Sequence, residues 1–286
     1  MSHDPLPVVP FAWAPDQYAL LDFGAGRKLE KFGPWVFDRV CPAADGVRKQ
    51  NPELWRRADE KLDDRGVPIA ESKNNGDTWK VSCGPITFEL KLSPSGHVGL
   101  FPEQVENWQW ISDWVLKRRQ AQESVSAINL FAYTGGTTLA LAAAGASVIH
   151  VDSSGPAVRW ARLNASTSEL ADLPVRWIVE DALKFIRREA KRRNRHDLIA
   201  LDPPSYGHGP KGQKWYLEQD LPKLLEACAE ALAPNGRVLL TAHSTSPGMA
   251  ELSQWYADYF GCSPESGRLE LKTAQGRKLD AGFYCR

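Results

Sequence analysis

Acidic residues and a glycine-containing turn follow successive apolar runs in the second half of the chain. The turn is Tyr133-Thr134-Gly135-Gly136, and the acids are Asp152, Asp181 and Asp202, the last of which precedes Pro203 and Pro204. Glycine lets the main chain approach a ligand closely, and a helix that starts there offers unpaired N–H groups. Carboxylates accept hydrogen bonds from hydroxyl groups. These residue types together predict a pocket for a nucleotide-like ligand.

The elements around these residues must bring them together. Apolar runs predict strands at residues 125–131, 148–152, 175–180, 198–202 and 237–241, with residues at helical spacing between them. Such alternation predicts a parallel sheet with helices on both faces. Ligands bind outside the carboxyl ends of the strands in such a sheet, so the turn and the acids are expected to line one crevice.

Each of these features also has a purely structural explanation. A glycine pair after a strand is often only a tight turn. Asp152 precedes Ser153 and Ser154 at the start of a predicted helix, and Asp181 precedes Ala182 in the same way. Either aspartate can therefore be a helix N-cap. The occurrence of three acids at corresponding strand ends favours the binding site.

The first third of the chain has a different pattern. Short strands are predicted at residues 18–23 and 29–32 around Gly24-Ala25-Gly26, and again at 78–82 and 86–92, with an amphipathic helix at 52–65. We therefore predict a small β-rich N-terminal appendage, residues 1–95, and an α/β domain, residues 96–286. Trp108, Trp110 and Trp114 predict a helix packed on a core. The segments 268–272 and 280–284 predict a terminal antiparallel hairpin.

Composition limits the possible classes of protein. Lys and Arg together equal Asp and Glu at 35 each, which argues against a uniformly basic surface. The five cysteines are scattered without a CxxC pair, as expected of reduced thiols rather than disulfides or a metal site. No signal peptide or membrane-length apolar run is present. We expect a soluble cytoplasmic protein.

The segments Phe131-Ala132-Tyr133-Thr134-Gly135-Gly136, Val151-Asp152-Ser153-Ser154, Glu180-Asp181-Ala182 and Leu201-Asp202-Pro203-Pro204-Ser205-Tyr206 resemble successive motifs of class I S-adenosylmethionine-dependent methyltransferases. More narrowly, they resemble the subfamily that methylates large-subunit ribosomal RNA. The resemblance covers about residues 96–246, and residues 99–104 with Asn107 resemble the segment that precedes the domain in that subfamily. It implies a Rossmann-like fold and S-adenosylmethionine as cofactor.

The resemblance also implies residue roles. The methionine end of the cofactor would lie against Phe131, Tyr133, Thr134 and Gly135. Asp152 with Ser153 would bind the ribose hydroxyls, and Asp181 with Ala182 the adenine edge. Asp202, Pro203 and Tyr206 would lie near the transferred methyl group, with Asp202 also touching the cofactor. Substrate contacts are expected at Gln104, Pro204, His208 and Lys211.

Two departures from the family pattern affect these expectations. Asn129 stands where the family usually has an acid. Relatives that methylate carbon 5 of cytosine use a cysteine just after the fifth strand, but residues 241–245 contain none, so a covalent thiol route is not supported. His208, in a loop expected to be flexible, and His243 can each orient a substrate or accept a proton, although an ordinary structural role explains both.

The preferred function is methyl transfer to a base in RNA, with ribosomal RNA as the expected partner. The neutral charge keeps a small-molecule or protein acceptor open. A non-catalytic RNA-binding protein on the same fold is the alternative from another class. A dehydrogenase is disfavoured because the full G-x-G-x-x-G pattern is missing.

Overall fold

The computed structural model describes residues 9–74, 76–94, 96–208, 214–243 and 247–286. The described chain divides into two compact units. The small unit contains residues 9–106 and 270–281, and the main unit contains residues 107–269 and 282–286. The predicted division between residues 95 and 96 stays a prediction.

The small unit is built mainly from antiparallel β-structure. Strands β1 to β4 form one sheet in sequential order, and β5 pairs with β6 in a separate hairpin. Their bounds are Tyr18–Gly24, Arg27–Phe32, Trp35–Val40, Glu60–Lys61, Trp79–Cys83 and Ile86–Leu90. The expected strands and turns of the N-terminal third are therefore present.

A buried ion cluster lies on the four-stranded sheet. The carboxylate of Glu30 accepts a hydrogen bond from the Tyr18 hydroxyl at 2.9 Å and lies 3.2 Å from Lys28 Nζ. Arg39 adds a two-nitrogen contact to the same carboxylate. Burial alone would raise the pKa of Glu30, but Arg39 and Lys28 lower it to about 2.

The predicted helix at residues 52–65 is wrong beyond its first turn. Helix α1 spans only Pro52–Trp55. The Asp59 carboxylate accepts the N–H of Val36 at 2.9 Å, and Asp63 accepts two main-chain N–H groups in a local turn. These bonds direct the chain along β3, where Glu60–Lys61 adds a short parallel strand. Apolar spacing alone did not reveal this competition from aspartate side chains.

The main unit contains a mostly parallel seven-stranded sheet in the order β14-β15-β13-β10-β7-β8-β9. The parallel strands are β7 Ser126–Leu130, β8 Ser147–Asp152, β9 Val175–Val179, β10 His196–Leu201 and β13 Leu232–Ala242. The terminal strands β14 Ser266–Lys272 and β15 Lys278–Cys285 complete it, and β15 is antiparallel to β13. The predicted Rossmann-like fold and its terminal hairpin are confirmed.

Helices cover the sheet of the main unit. They are α2 Val105–Gln120, α3 Gly136–Ala143, α4 Gly155–Thr167, α5 Ala182–Lys191, α6 Leu217–Ala231 and α7 Met249–Phe260. Alternate residues of the strands, such as Ile128 and Leu130, pack with α5, α6 and α7 in one buried core. Trp108 on α2 is buried, as its helical spacing predicts. In the described parts of the chain, no helix is long and apolar enough to cross a membrane.

Two local expectations need correction. The strand expected at residues 237–241 begins earlier, because Pro234-Asn235-Gly236 lies inside β13, where the pairing with β10 shifts register and Asn235 has a φ of 62°. The segment expected to be a flexible loop around His208 has strand stems. β11 Tyr206–His208 pairs with β12 Lys214–Tyr216, and residues 209–213 lie outside the described residues.

Candidate functional site

The order of the parallel strands identifies where a ligand can bind. From β7 the chain moves outward through β8 and β9, and it then returns to the other side of β7 as β10. The strand order therefore reverses between β7 and β10. In open α/β sheets the crevice at the carboxyl ends of such strands is the usual ligand site. The predicted glycine turn follows β7, and the predicted Asp-Pro-Pro segment follows β10.

The turn after β7, residues 131–136 and hereafter the glycine turn, has an unusual backbone. Phe131 and Tyr133 have φ values of 54° and 46°, and Gly135 has 89°. The left-handed region costs a residue with a side chain roughly 1–2 kcal/mol. Two non-glycine residues in this region within three positions mark a turn that the surrounding structure holds in place. The sequence predicted the turn but not this strain.

The rest of the main unit fixes the glycine turn through specific bonds. Ala132 N–H donates to the Val151 carbonyl at 3.1 Å, and Asn164 Nδ2 donates to the Thr134 carbonyl at 2.9 Å. A Cβ on Gly135 would lie 3.0 Å from Ala161 Cβ, and one on Gly136 would lie 2.5 Å from the Trp108 ring. The Trp108 ring therefore leaves no room for a side chain at position 136, and the positive φ together with the close Ala161 methyl favours glycine at position 135.

The carboxylate of Asp152 lies directly beside this turn. Its Oδ2 accepts the N–H of Tyr133 at 2.8 Å, and its Oδ1 accepts the N–H of Ser154 at 2.8 Å. Burial raises the pKa of Asp152, and these two N–H donors oppose that rise. Ser154 is the N-cap of α4, so the capping alternative for Asp152 is wrong. Each carboxylate oxygen keeps further acceptor capacity for a ligand.

Asp181 has the capping geometry that was its alternative explanation. It is the N-cap of α5, and its Oδ1 accepts the N–H of Lys184 at 2.8 Å. Ala182 is the first residue of that helix and is buried, and Ser153 lies half-buried between Asp152 and the cap of α4. Capping uses one oxygen of Asp181, so the geometry is compatible with a second acceptor role for its carboxylate.

The segment Asp202-Pro203-Pro204, hereafter the proline turn, ends β10. Asp202 Oδ1 lies 3.4 Å from Nε2 of His243, which follows the neighbouring strand β13. Gly282, with a φ of 115°, lies beside this histidine, where a Cβ would come within 3.0 Å of its Nδ1. The sequence suggested each residue separately. It gave no indication that they form a pair, because they come from different strands.

The hairpin of β11 and β12, hereafter the tyrosine hairpin, lies next to the proline turn. Trp215 Nε1 donates to the Pro204 carbonyl at 2.7 Å, and the Trp215 ring lies 5.0 Å from that of Phe131. Tyr206 and Tyr216 face each other across the two strands, with ring centroids 5.2 Å apart. Sequence reasoning selected Tyr206 but missed Trp215 and Tyr216. Recognition of the hairpin, with Trp215 and Tyr216 in its second strand, was the missing step.

Asn129 is part of a buried hydrogen-bonded chain rather than of the exposed crevice. Its Nδ2 donates to Thr138 Oγ1 at 2.9 Å, and that hydroxyl contacts His150 Nδ1 at 2.9 Å. Burial lowers the pKa of His150 to about 3, so the imidazole is neutral. A neutral amide at position 129 therefore suits this chain of bonds, because both the Thr138 hydroxyl and the His150 imidazole are neutral and buried.

The remaining predicted residues lie elsewhere or outside the description. Gln104 is buried at the end of a short 3-10 helix, Pro102–Gln104, in the small unit. The backbone of His208 belongs to β11, opposite Lys214. Lys211 lies outside the described residues. The substrate roles expected for these residues stay predictions.

Comparison with known proteins identifies a matching family and related solved structures. The family described as S-adenosylmethionine-dependent methyltransferase matches residues 67–252. A solved structure of a SAM-dependent methyltransferase from Agrobacterium tumefaciens is 33% identical, with a TM-score of 0.88, over 98% of this chain and 93% of that one. A structure described as a methyltransferase complexed with SAH is 14% identical with a TM-score of 0.72, over 95% and 76% of the two chains, and shows the fold alone.

Among curated proteins, the ribosomal RNA large subunit methyltransferase K/L of Shewanella sp. (strain ANA-3) is 30% identical over 208 residues. That of Alteromonas mediterranea is 27% identical over 202 residues. The matches cover 71% and 70% of this chain but only 27% of each relative. The chain therefore spans about a quarter of the length of these curated relatives.

The residues at the crevice fit the cofactor of this family. The glycine turn brings main chain to the switch point where a side chain at Gly135 would meet Ala161. Asp152 and Asp181 supply carboxylate oxygens at the next two strand ends, which suits a ligand that carries hydroxyl and amino groups. The chain belongs to the S-adenosylmethionine-dependent methyltransferase family, and its cofactor is S-adenosylmethionine.

Proposed function

We propose that this enzyme transfers a methyl group to a base in RNA, with ribosomal RNA as the substrate class. The observation that carries the proposal is the proline turn, which lies at the switch point next to the glycine turn and is followed two residues later by the exposed aromatic Tyr206 of the tyrosine hairpin. An aromatic face beside an acidic turn suits a planar, polar acceptor. The names of the curated relatives support RNA as that acceptor.

The cofactor residues have the following proposed roles. Phe131, Tyr133, Thr134 and Gly135 line the methionine end, as the family resemblance implies, and the glycine turn lies at the point of strand reversal where a ligand is expected. The residues at the ends of β8 and β9 contact the nucleoside part of the cofactor. Asp152 with Ser153 accepts from the ribose hydroxyls, and Asp181 with Ala182 contacts the adenine edge.

The bound cofactor supplies an electrophilic methyl group on a sulfonium. The protein then has to hold the acceptor atom in line with it and exclude water. We assign this positioning to Asp202, Pro203 and Tyr206. Proline has no N–H to pair with a neighbouring carbonyl, and the Pro204 carbonyl already accepts from Trp215, so we assign the Asp202 carboxylate and the Pro203 carbonyl to accept from an N–H of the methyl-accepting base. Pro204, Gln104, His208 and Lys211 are the further substrate contacts of this proposal.

The cysteines support direct transfer rather than a covalent thiol route. Residues 241–245, at the carboxyl end of β13 and just after it in the sequence, contain no cysteine. Cys228 and Cys83 are buried, and burial raises the pKa of both thiols, so neither is an activated nucleophile. All five cysteines are free thiols, which supports our expectation of a reducing, cytoplasmic environment.

The proposal is tested by supplying the purified enzyme with S-adenosylmethionine labelled in the methyl group. The acceptor is total RNA from cells that lack the protein, with RNA from normal cells as control. We expect label in the first RNA and much less in the second, because the site there is already methylated. If a protein or small-molecule fraction of the same cells takes up label and neither RNA does, RNA is excluded as the acceptor.

A further inference from the structure

The tyrosine hairpin presents two exposed aromatic rings beside the proline turn. Tyr206 is 47% exposed and Tyr216 is 39% exposed. Among the phenylalanine, tyrosine and tryptophan residues of the described ranges, these two are the only exposed ones. Their rings lie 5.2 Å apart at 54° as a cross-strand pair. Exposed aromatic surface concentrated at one point next to a reaction site indicates a binding surface.

Trp215, which precedes Tyr216 in β12, faces the other side of the hairpin. Side chains alternate along a strand, so Trp215 lies on the face opposite Tyr216. There its indole Nε1 donates to the Pro204 carbonyl at 2.7 Å, and its ring contacts Phe131 at 5.0 Å. Gly207 stands opposite Trp215, where a Cβ would lie 3.5 Å from the Pro204 ring. One side chain thus contacts both the proline turn and the glycine turn.

We propose that Tyr206 and Tyr216 form the stacking surface for the acceptor base, and that Trp215 is the positioning residue that fixes this surface relative to the cofactor. The inference rests on the proposed function and specifies how its acceptor is held. Aromatic side chains stack on unpaired nucleobases, and one stacked base is worth about 1–3 kcal/mol. A peptide acceptor would not need a paired aromatic surface, so RNA is the occupant that these contacts favour.

The test compares Tyr216→Leu, Tyr216→Phe and Trp215→Phe with the wild-type enzyme. The main-chain N–H of Tyr216 donates to Asp220 at 3.1 Å, and every substitution at this position retains that bond. Tyr216→Leu removes the ring, whereas Tyr216→Phe keeps it and serves as the matched control. Trp215→Phe keeps an aromatic ring near Phe131 but removes the donor to Pro204. The melting temperature of each variant confirms folding.

We expect Tyr216→Leu to raise the KM for RNA by about 5- to 100-fold with unchanged affinity for S-adenosylmethionine, and Tyr216→Phe to stay within about twofold of wild type. Trp215→Phe is expected to lower kcat by about fivefold with unchanged cofactor affinity, because one hydrogen bond of about 1 kcal/mol is lost. If Trp215 had only a structural role, Trp215→Phe would instead weaken cofactor binding, raise the KM for RNA and lower the melting temperature together.

Equal KM values for Tyr216→Leu and wild type would overturn the stacking surface, as would equal defects in Tyr216→Leu and Tyr216→Phe. Direct binding of a fluorescent single-stranded RNA separates this result from a failure of the proposed function. If wild type binds this RNA without methylating it, the proposed function fails, and weaker binding by Tyr216→Leu still supports the surface. Absence of binding by the wild type overturns both.

Discussion

Replacing Asp152 with asparagine is expected to weaken S-adenosylmethionine binding by about 10- to 100-fold. The carboxylate accepts two main-chain N–H groups at 2.8 Å, one from Tyr133 and one from Ser154. An amide retains only one acceptor oxygen, so one of these N–H groups faces another donor. A hydrogen bond to a charged group is worth about 1.5–3 kcal/mol, and every 1.4 kcal/mol is tenfold in affinity.

The assay is isothermal calorimetry of Asp152→Asn with S-adenosylmethionine and with its 2′-deoxyribose analogue. Wild type is expected to bind the analogue more weakly, whereas the variant is expected to distinguish the two ligands little. This comparison separates a direct ribose contact from a general loosening of the glycine turn. Asp63→Asn is the matched control, because Asp63 also accepts two main-chain N–H groups at a turn but lies in the small unit. Unchanged affinity in Asp152→Asn, or the same loss in Asp63→Asn, would refute the assignment.

Three further predictions concern other residues. Gly135→Ala, at a φ of 89° and with its Cβ 3.0 Å from that of Ala161, should lower the melting temperature by about 2–8 °C and weaken cofactor binding; an unchanged melting curve would contradict this. Glu30 has a pKa of about 2 against its ordinary 4.5, so it should contribute about 3 kcal/mol to the free energy of unfolding above pH 4.5. This contribution should be lost as the pH falls towards 2. Urea unfolding of the wild type and of Glu30→Gln at several pH values checks whether the variant lacks this pH dependence. His243→Gln should slow transfer severalfold at unchanged cofactor affinity, because a partly exposed contact between the His243 imidazole and the Asp202 carboxylate at 3.4 Å is worth about 1 kcal/mol at most. A single-turnover assay measures the rate, and a full wild-type rate would exclude the pair from positioning.

The parallel sheet could be predicted because its evidence is local. Buried strands in an α/β sheet are continuous apolar runs, and the helices between them repeat their apolar residues at helical spacing. The turn after β7 and the acids after the next strands followed from the same pattern. Their convergence needed only the general rule that parallel strands end at one edge.

The contacts between distant residues could not be predicted. The pairing of Asp202 with His243 depends on β10 and β13 being neighbours, and the contact of Trp215 with Pro204 depends on a hairpin between them. The helix expected at residues 52–65 failed for a related reason. The carboxylates of Asp59 and Asp63 bond to main chain there and outweigh a weak helical pattern.

The positive φ values of Phe131 and Tyr133 affect how fast and with what thermodynamics the cofactor binds. Because Asp152, Asn164 and Val151 already hold the glycine turn in this conformation, its ordering entropy is lost during folding and not during binding. Association should therefore follow simple one-step kinetics, with a rate that rises linearly with cofactor concentration. The glycine turn acts as a rigid template, so differences in affinity among cofactor analogues should appear mainly in their dissociation rates.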